Sequence, residues 1–159
     1  MHDLFIDFFS NFPRELATFL IAFIPVTELR VSIPLAVKVY GLTPFESWFY
    51  SVAGTYFVMV MIVFLLDPIS KLLSRFIPIF EKFFTWLFEH TRKKTNGKME
   101  KYGEWAIFIL AATPIPLIGG LIGALAAFVF NVPFKKSLPL LLVGTMISGG
   151  IVLGITLYF

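Results

Sequence analysis

The sequence predicts an all-α integral membrane protein that is built as an inverted repeat. Each repeat is a re-entrant helical hairpin followed by one transmembrane helix, and a basic amphipathic cytoplasmic helix joins the two repeats. Three observations predict this fold: a strongly apolar composition, two long apolar runs, and two interrupted apolar regions that resemble each other.

The composition excludes the soluble classes of protein. Of the 159 residues, 58% are hydrophobic and only 14% are charged, and the mean hydropathy is +0.87. A soluble domain of about 150 residues leaves roughly 30% of its unfolded surface exposed, so it could not hide this much apolar side chain. A soluble enzyme, a nucleic-acid-binding module and a disordered segment are therefore excluded.

The polar residues indicate no catalytic or metal chemistry. The net charge of +3 is too small to predict a nucleic-acid partner, and the lack of cysteine removes thiolate ligands and nucleophiles. His2 and His90 stand alone, without the spacing of metal ligands. We therefore expect no enzyme activity, no catalytic residue, no metal and no cofactor.

Two apolar runs have the length of a transmembrane helix. They cover residues 46–66 and 137–158, and at ~1.5 Å per residue each can cross the ~30 Å hydrocarbon core. Asp67 directly follows the first run, and we expect it to cap a separate helix before Pro68.

Two other apolar regions, residues 15–40 and 104–130, are interrupted by prolines and glycines. Each arm beside a break has about 10 residues, which is roughly 15 Å of helix or half a bilayer. Proline lacks a backbone N–H and clashes with the preceding turn, so helices are expected to break there. The prolines that we take as hinges are Pro25, Pro34, Pro114 and Pro116.

The two interrupted regions align with each other at an offset of 89 residues. Eight positions are identical: Glu15/Glu104, Ala17/Ala106, Phe19/Phe108, Ala22/Ala111, Pro25/Pro114, Ile33/Ile122, Pro44/Pro133 and Phe45/Phe134. This alignment predicts one membrane domain, residues 1–159. Repeat 1 covers 14–66 (hairpin 15–40, span 46–66), the linker covers 67–102, and repeat 2 covers 103–159 (hairpin 104–130, span 137–158).

The predicted topology follows from counting crossings. Whether the two arms dip in and return or both cross, each half crosses an odd number of times, so the second half starts on the opposite face. The linker and the start of the last span carry ten Lys and Arg residues, whereas the other face has Arg14 and Lys38. Basic residues favour the cytoplasmic side. We expect a multi-pass protein of the cell membrane with the linker in the cytoplasm and both termini outside.

The linker contains an amphipathic pattern. Its apolar residues recur at helical spacing, which predicts a helix lying in the cytoplasmic headgroup layer, with packing against the spans as the alternative. The stripe consists of Phe80, Phe83, Phe84, Leu87 and Phe88.

The first interrupted region contains a charged candidate site. Charged side chains in an apolar run cost several kcal/mol unless they are paired or face a cavity. If Ser32 caps the second arm, residues 26–31 form a non-helical tip, where Arg30 and the helix N-terminus suit a phosphate or a carboxylate. Two alternatives stay open: the charges lie in an outer loop, or they form an ion pair that only locks the hinge. The candidate substrate-binding residues are Thr27, Glu28, Arg30 and Ser32.

The second interrupted region has no charge and offers backbone groups instead. Glycine allows main chain or ligand to approach closely, so Thr113, Gly119, Gly120 and Gly123 are further candidate substrate-binding residues. Gly119 and Gly123 also have a small-xxx-small spacing, which by itself indicates only tight helix packing. Both interpretations stay open.

Both regions resemble signatures of the small multi-drug export protein family. The segment PVTELRVSIPLAV at residues 25–37 is similar to a P-x-x-E-x-R-x-x-x-P motif, and TPIPLIGGLIGALAAF at residues 113–128 is similar to the second motif. The second departs from the family pattern at Leu117 and Ile118, which stand where Gly and Thr are common. The family is similar in plan to the DedA and VTT-domain proteins. That similarity implies re-entrant hairpins in an inverted repeat and movement of lipids, including polyprenyl phosphates, between leaflets.

Three functions are compatible with these observations. The first is a transporter or flippase for a phosphate-bearing lipid or another anionic amphiphile, held by Arg30 and helix N-termini. The second is a proton-coupled exporter of cationic drugs, in which Glu28 binds drug and proton in turn. The third is a non-transporting membrane scaffold. A nearby cation favours the ionised form of a carboxylate, so Arg30 makes Glu28 a poor proton carrier. This favours the transporter of an anionic amphiphile over the proton-coupled exporter. The expected partners are membrane lipids, a small-molecule substrate with a coupled proton or cation, and a second copy bound through the glycines in residues 144–154.

Overall fold

The computed structural model describes residues 11–76, 79, 82, 85, 86, 89, 90, 93, 102, 104–114, 120–130 and 132–159. Within these residues the chain forms six continuous helices and no strand, so the all-helical expectation is confirmed for the described part. The helices are α1 (Arg14–Phe23), α2 (Glu28–Lys38), α3 (Pro44–Phe76), α4 (Trp105–Ala112), α5 (Gly120–Val129) and α6 (Phe134–Tyr158).

Two helices have the length and composition of a membrane span, as predicted. Pro44–Leu66 within α3 has 23 residues and α6 has 25, and both are strongly apolar. They begin two and three residues before the predicted starts. At the first of these starts, the Thr43 hydroxyl and the Glu46 carboxylate form reciprocal hydrogen bonds with each other's backbone N–H, which is a capping box.

Helix α3 continues beyond the predicted span. It runs through Asp67 and Pro68 to Phe76, so the expectation that Asp67 caps a separate helix is wrong. The residues after Pro68 include strong helix formers such as Lys71, Leu72 and Leu73, which favour continuation of the helix. All five residues of the predicted amphipathic stripe, Phe80, Phe83, Phe84, Leu87 and Phe88, lie outside the described residues.

Short helices form two hairpins. Helix α1 packs against α2, and α4 packs against α5. The four helices have 10, 11, 8 and 10 residues, so each is roughly 15 Å long, as expected for the arms of the interrupted regions. That these hairpins are re-entrant in a bilayer stays a prediction.

The second arm of the first hairpin differs from the expectation. Helix α2 begins at Glu28, so Ser32 lies inside the helix and does not cap it, and the non-helical turn is limited to residues 24–27. Pro34 also lies inside α2 and is not a break. The proline removes only one backbone hydrogen bond, and burial of Leu29, Ile33 and Ala36 on this short helix offsets that loss.

The chain divides into two compact units. Unit 1 consists of Met1–Val58 and Met146–Phe159, and unit 2 consists of Met59–Thr145. Each unit contains one hairpin together with a part of α3 and a part of α6.

Glycine contacts pack the long helices against the hairpins within each unit. In unit 1, Gly54 of α3 lies against the backbone carbonyl of Phe19 and the side chain of Ala22. In unit 2, a methyl group at Gly144 of α6 would lie 2.6 Å from Ala111 Cβ and 2.9 Å from the Phe108 carbonyl oxygen. Neither glycine can carry a side chain without displacing backbone.

We predict that Gly54→Ala and Gly144→Ala each destabilise the fold by about 1–3 kcal/mol, because the added methyl group overpacks a backbone contact. Thermal unfolding in a strong detergent that separates any oligomer into monomers measures this. Gly150→Ala is the matched control: Gly150 is exposed, and no other residue of the described chain lies within 4 Å of where its Cβ would be. Equal melting temperatures for all three variants would contradict the packing.

Candidate functional site

The turn between α1 and α2 is held by a threonine. The Thr27 hydroxyl donates to the Ile21 carbonyl oxygen, and the Ile24 carbonyl oxygen lies 3.2 Å from the same Thr27 Oγ1. The Ile21 and Ile24 carbonyls also accept backbone N–H groups of the turn, and the Thr27 hydroxyl adds a side-chain hydrogen bond to this closure. This local closure fixes where α2 begins.

Glu28 occupies a strained and buried position directly after this turn. Its backbone has φ +45°, in the left-handed region, and its N–H donates to the Ile24 carbonyl at 2.9 Å. A non-glycine residue in this conformation costs about 1–3 kcal/mol. The residue as a whole is only 3% exposed. The chain therefore holds a carboxylate at a position where glycine would be less strained.

Arg30 supplies the counter-charge. Its Nη1 lies 3.4 Å from Glu28 Oε2, and its side chain is 16% exposed, compared with 5% for Glu28. Both residues belong to the first turn of α2, where the helix dipole stabilises negative charge. The pair is thus nearly neutral as a unit, and the guanidinium is its more accessible half.

A row of buried hydroxyl groups on α3 lies beside the first hairpin. Ser47, Ser51 and Thr55 are spaced four residues apart, so they share one helix face, and all three are buried. Ser32 donates to Ser51 Oγ at 2.7 Å, and Thr55 donates to the Ala22 carbonyl at 3.3 Å. These bonds fix both arms of the hairpin against α3, and Ser32 therefore has a positioning role.

Sequence reasoning missed this hydroxyl row, although a signal was present. Ser47, Gly54 and Thr55 form an S-x6-G-T pattern, and the same pattern recurs at Ser137, Gly144 and Thr145. The offset is 90 along the long helices, one more than in the hairpins, so an alignment at a single offset does not reveal it.

The candidates in the second hairpin lie in unit 2 and have packing contacts. The Thr113 hydroxyl donates to the Ile109 carbonyl at 2.6 Å, which satisfies the end of α4. Gly120 lies against the Met59 side chain, and a Cβ at Gly123 would lie 3.2 Å from Leu141. Pro116 and Gly119 lie outside the described residues. These contacts favour the packing interpretation for Gly120 and Gly123.

The structure brings together only part of the predicted site. Thr27, Glu28, Arg30 and Ser32 all lie at the start of α2 in unit 1, whereas the candidates of the second hairpin belong to unit 2. That the two hairpins meet stays a prediction. Among the described residues, no three His, Cys, Asp or Glu side chains are grouped as a metal site would require.

The sequence profile of the small multi-drug export proteins matches residues 28–151, from the first residue of α2 to the middle of α6. The chain belongs to this family. The match covers most of the chain and confirms the resemblance stated for the two motifs. Together with the two apolar helices, the family name suggests a membrane protein. No curated protein and no solved structure matches the chain.

We predict that Thr27→Val destabilises the protein by about 0.5–1.5 kcal/mol, because it removes the hydrogen bond from the hydroxyl to the Ile21 carbonyl while conserving side-chain volume. The unfolding midpoint in detergent measures the loss. The neighbouring change Val26→Thr is the control, since Val26 is 76% exposed. If both variants unfold at the wild-type midpoint, Thr27 does not hold the turn.

Proposed function

We propose that this protein exports cationic amphipathic compounds across the cell membrane, with Glu28 as the group that binds the cation. The observation that carries the proposal is the buried Glu28–Arg30 pair directly after the α1/α2 turn. The family name, which describes multi-drug export, supports an export function.

The proposed mechanism rests on charge compensation. A buried carboxylate that loses its counter-charge costs several kcal/mol, so Glu28 always needs a positive partner. Arg30 is the resident partner at 3.4 Å. A substrate cation displaces Arg30 from the carboxylate, and a proton can displace the substrate in turn. Because drug and proton neutralise the same negative charge, binding of one weakens binding of the other, which is the basis of exchange.

The proposed membrane arrangement is an inverted repeat with a cytoplasmic linker. Its support is that both units use equivalent contacts: Phe19 and Ala22 meet Gly54, and their counterparts Phe108 and Ala111 at offset 89 meet Gly144. Thr113 closes the end of α4 with its hydroxyl, as Thr27 closes the end of α1. The high Lys and Arg content of the linker supports its cytoplasmic position.

A second candidate function is transport of a phosphate-bearing lipid, which the DedA-like resemblance implies. One observation favours it: Arg30 is the more accessible member of the pair, so its guanidinium can bind an anionic head group. In that case Glu28 would serve to hold Arg30 in place.

Transport by reconstituted protein separates these candidates. We predict that Glu28→Gln lowers proton-driven movement of ethidium into proteoliposomes about tenfold or more, because the cation loses its counter-charge. Arg30→Gln should lower the rate less, because Glu28 can still bind the substrate. Glu104→Gln is the matched control, since Glu104 forms an exposed pair with Lys136 at 2.9 Å.

The same vesicles can contain a fluorescent phospholipid. The lipid function would be favoured over the proposed one by two results together. The wild type would exchange the phospholipid between leaflets but not transport ethidium, and Arg30→Gln would lose the exchange. No flux of either compound in the wild type, with the variants folded, would favour the scaffold function.

We also propose that the protein is a homodimer through the exposed face of α6. Ile147, Ile151 and Ile155 are 43%, 42% and 54% exposed and flank Gly150 and Gly154. No other described residue lies within 4 Å of the Cβ position at either glycine, unlike Gly54 and Gly144. Glycines four residues apart between β-branched residues allow close approach of two membrane helices.

We predict that the double change Gly150→Leu/Gly154→Leu converts the dimer into a monomer, because the leucines keep the two helix backbones apart. Light scattering of the detergent-solubilised protein measures the mass. Val31→Leu is the control, at an exposed position of α2, away from α6. A wild-type protein that is monomeric in a mild detergent would contradict the proposal.

A further inference from the structure

An apolar groove lies in unit 1, beside the first turn of α1. Pro13, Glu15, Leu16, Phe19 and Tyr50 line it, its volume is about 430 Å³, and its wall is carbon almost throughout. Pockets for small molecules typically have about 300–1,000 Å³, so its size suits a compact organic ligand.

We propose that this groove binds the hydrophobic body of an amphipathic cation, with the Glu15 carboxylate at the rim as the counter-charge. The proposal rests on the proposed function, since it adds a second position for the same class of substrate. It names a site that is separate from Glu28.

The groove presents apolar side chains that the fold does not bury. Leu16 is 43% exposed, although the next residue, Ala17, is completely buried in the core of the hairpin. Phe19 and Tyr50 place two aromatic rings in the wall. Aromatic rings attract organic cations as well as apolar groups, because the ring face carries partial negative charge. None of the five lining residues is basic.

The charge of Glu15 favours a cation over a neutral ligand. The equivalent carboxylate in unit 2, Glu104 at offset 89, is neutralised by Lys136 at 2.9 Å. At the position equivalent to Lys136, repeat 1 has Ser47 at offset 89 or Glu46 at offset 90. Within the part of the chain that the structure describes, Glu15 forms no ion pair. The lysine of unit 2 thus has no counterpart in unit 1, which leaves Glu15 available to a positively charged ligand.

The groove and the Glu28 site lie at opposite ends of one helix. Glu15 is in the first turn of α1, and Glu28 follows the turn after its last residue. Ten residues of helix separate the two ends by roughly 15 Å, too far for one compact cation to contact both carboxylates. A transported cation would therefore occupy the two positions in sequence.

Photoaffinity labelling of the full-length protein in detergent tests the site. The probe is a benzophenone carrying a quaternary ammonium group, and its neutral analogue carries a hydroxyl group instead. We expect the cationic probe to label the peptide that contains Leu16 and Phe19. Leu16→Trp, which fills the groove from an exposed position, should weaken this labelling about tenfold, and Glu15→Gln about threefold or more. Val31→Trp is the control for the added ring, because Val31 is also exposed but is not part of the groove.

The outcomes separate the groove from the Glu28 site. Equal labelling by the neutral probe, with no effect of Glu15→Gln, would mean that the groove holds a lipid acyl chain, and would overturn the cation site. Glu28→Gln should leave groove labelling unchanged while lowering export. If Glu28→Gln exports ethidium at the wild-type rate while the groove still binds the cationic probe, the proposed function fails and the groove stands.

Discussion

Glu28 carries a carboxylate in a position that solvent hardly reaches, and the first hairpin is arranged around that charge. The turn closed by Thr27 places Glu28 in a left-handed conformation, and Arg30, two residues later in the same turn of α2, lies at ion-pair distance. The left-handed backbone of Glu28 alone costs about 1–3 kcal/mol of folding free energy. Burial of its carboxylate adds a desolvation cost. A carboxylate maintained at such a cost is typical of a functional position, and in an apolar surrounding it depends on its cation.

The rest of unit 1 keeps this pair in place. Ser32 and Thr55 form hydrogen bonds that join the hairpin to α3, and Gly54 allows the two backbones to come into contact. Leu29 and Ile33 pack against Val152 of α6, so the helix that carries the charges has an apolar support on its other side. Unit 2 repeats the glycine contact without the charges. The two units therefore differ in their turns, where unit 1 has the Glu28–Arg30 pair, and at Glu15 and Glu104, of which Glu104 is paired with a lysine.

The long spans and the short arms could be predicted from the sequence, because apolar run length reports on helix length and the first arms end two residues before Pro25 and Pro114. The start of α2 at Glu28 could not, since it depends on the Thr27 hydroxyl reaching the carbonyls of α1. The continuation of α2 through Pro34 depends on packing that no local pattern encodes. The S-x6-G-T pattern is present in the sequence of both repeats. Repeat 2 has one additional residue before it, so an alignment at offset 89 does not pair the two copies. The groove arises from side chains of two helices and has no sequence signature.

A double-mutant cycle on Glu28 and Arg30 tests the central claim most directly. The free energy of unfolding in detergent would be measured for the wild type, Glu28→Gln, Arg30→Gln and the double variant. If the two charges compensate each other, each single change leaves one buried charge behind. The double variant should then lose less stability than the sum of the single changes, with a coupling of about 1–3 kcal/mol. Additive losses, within about 0.5 kcal/mol, would contradict the account.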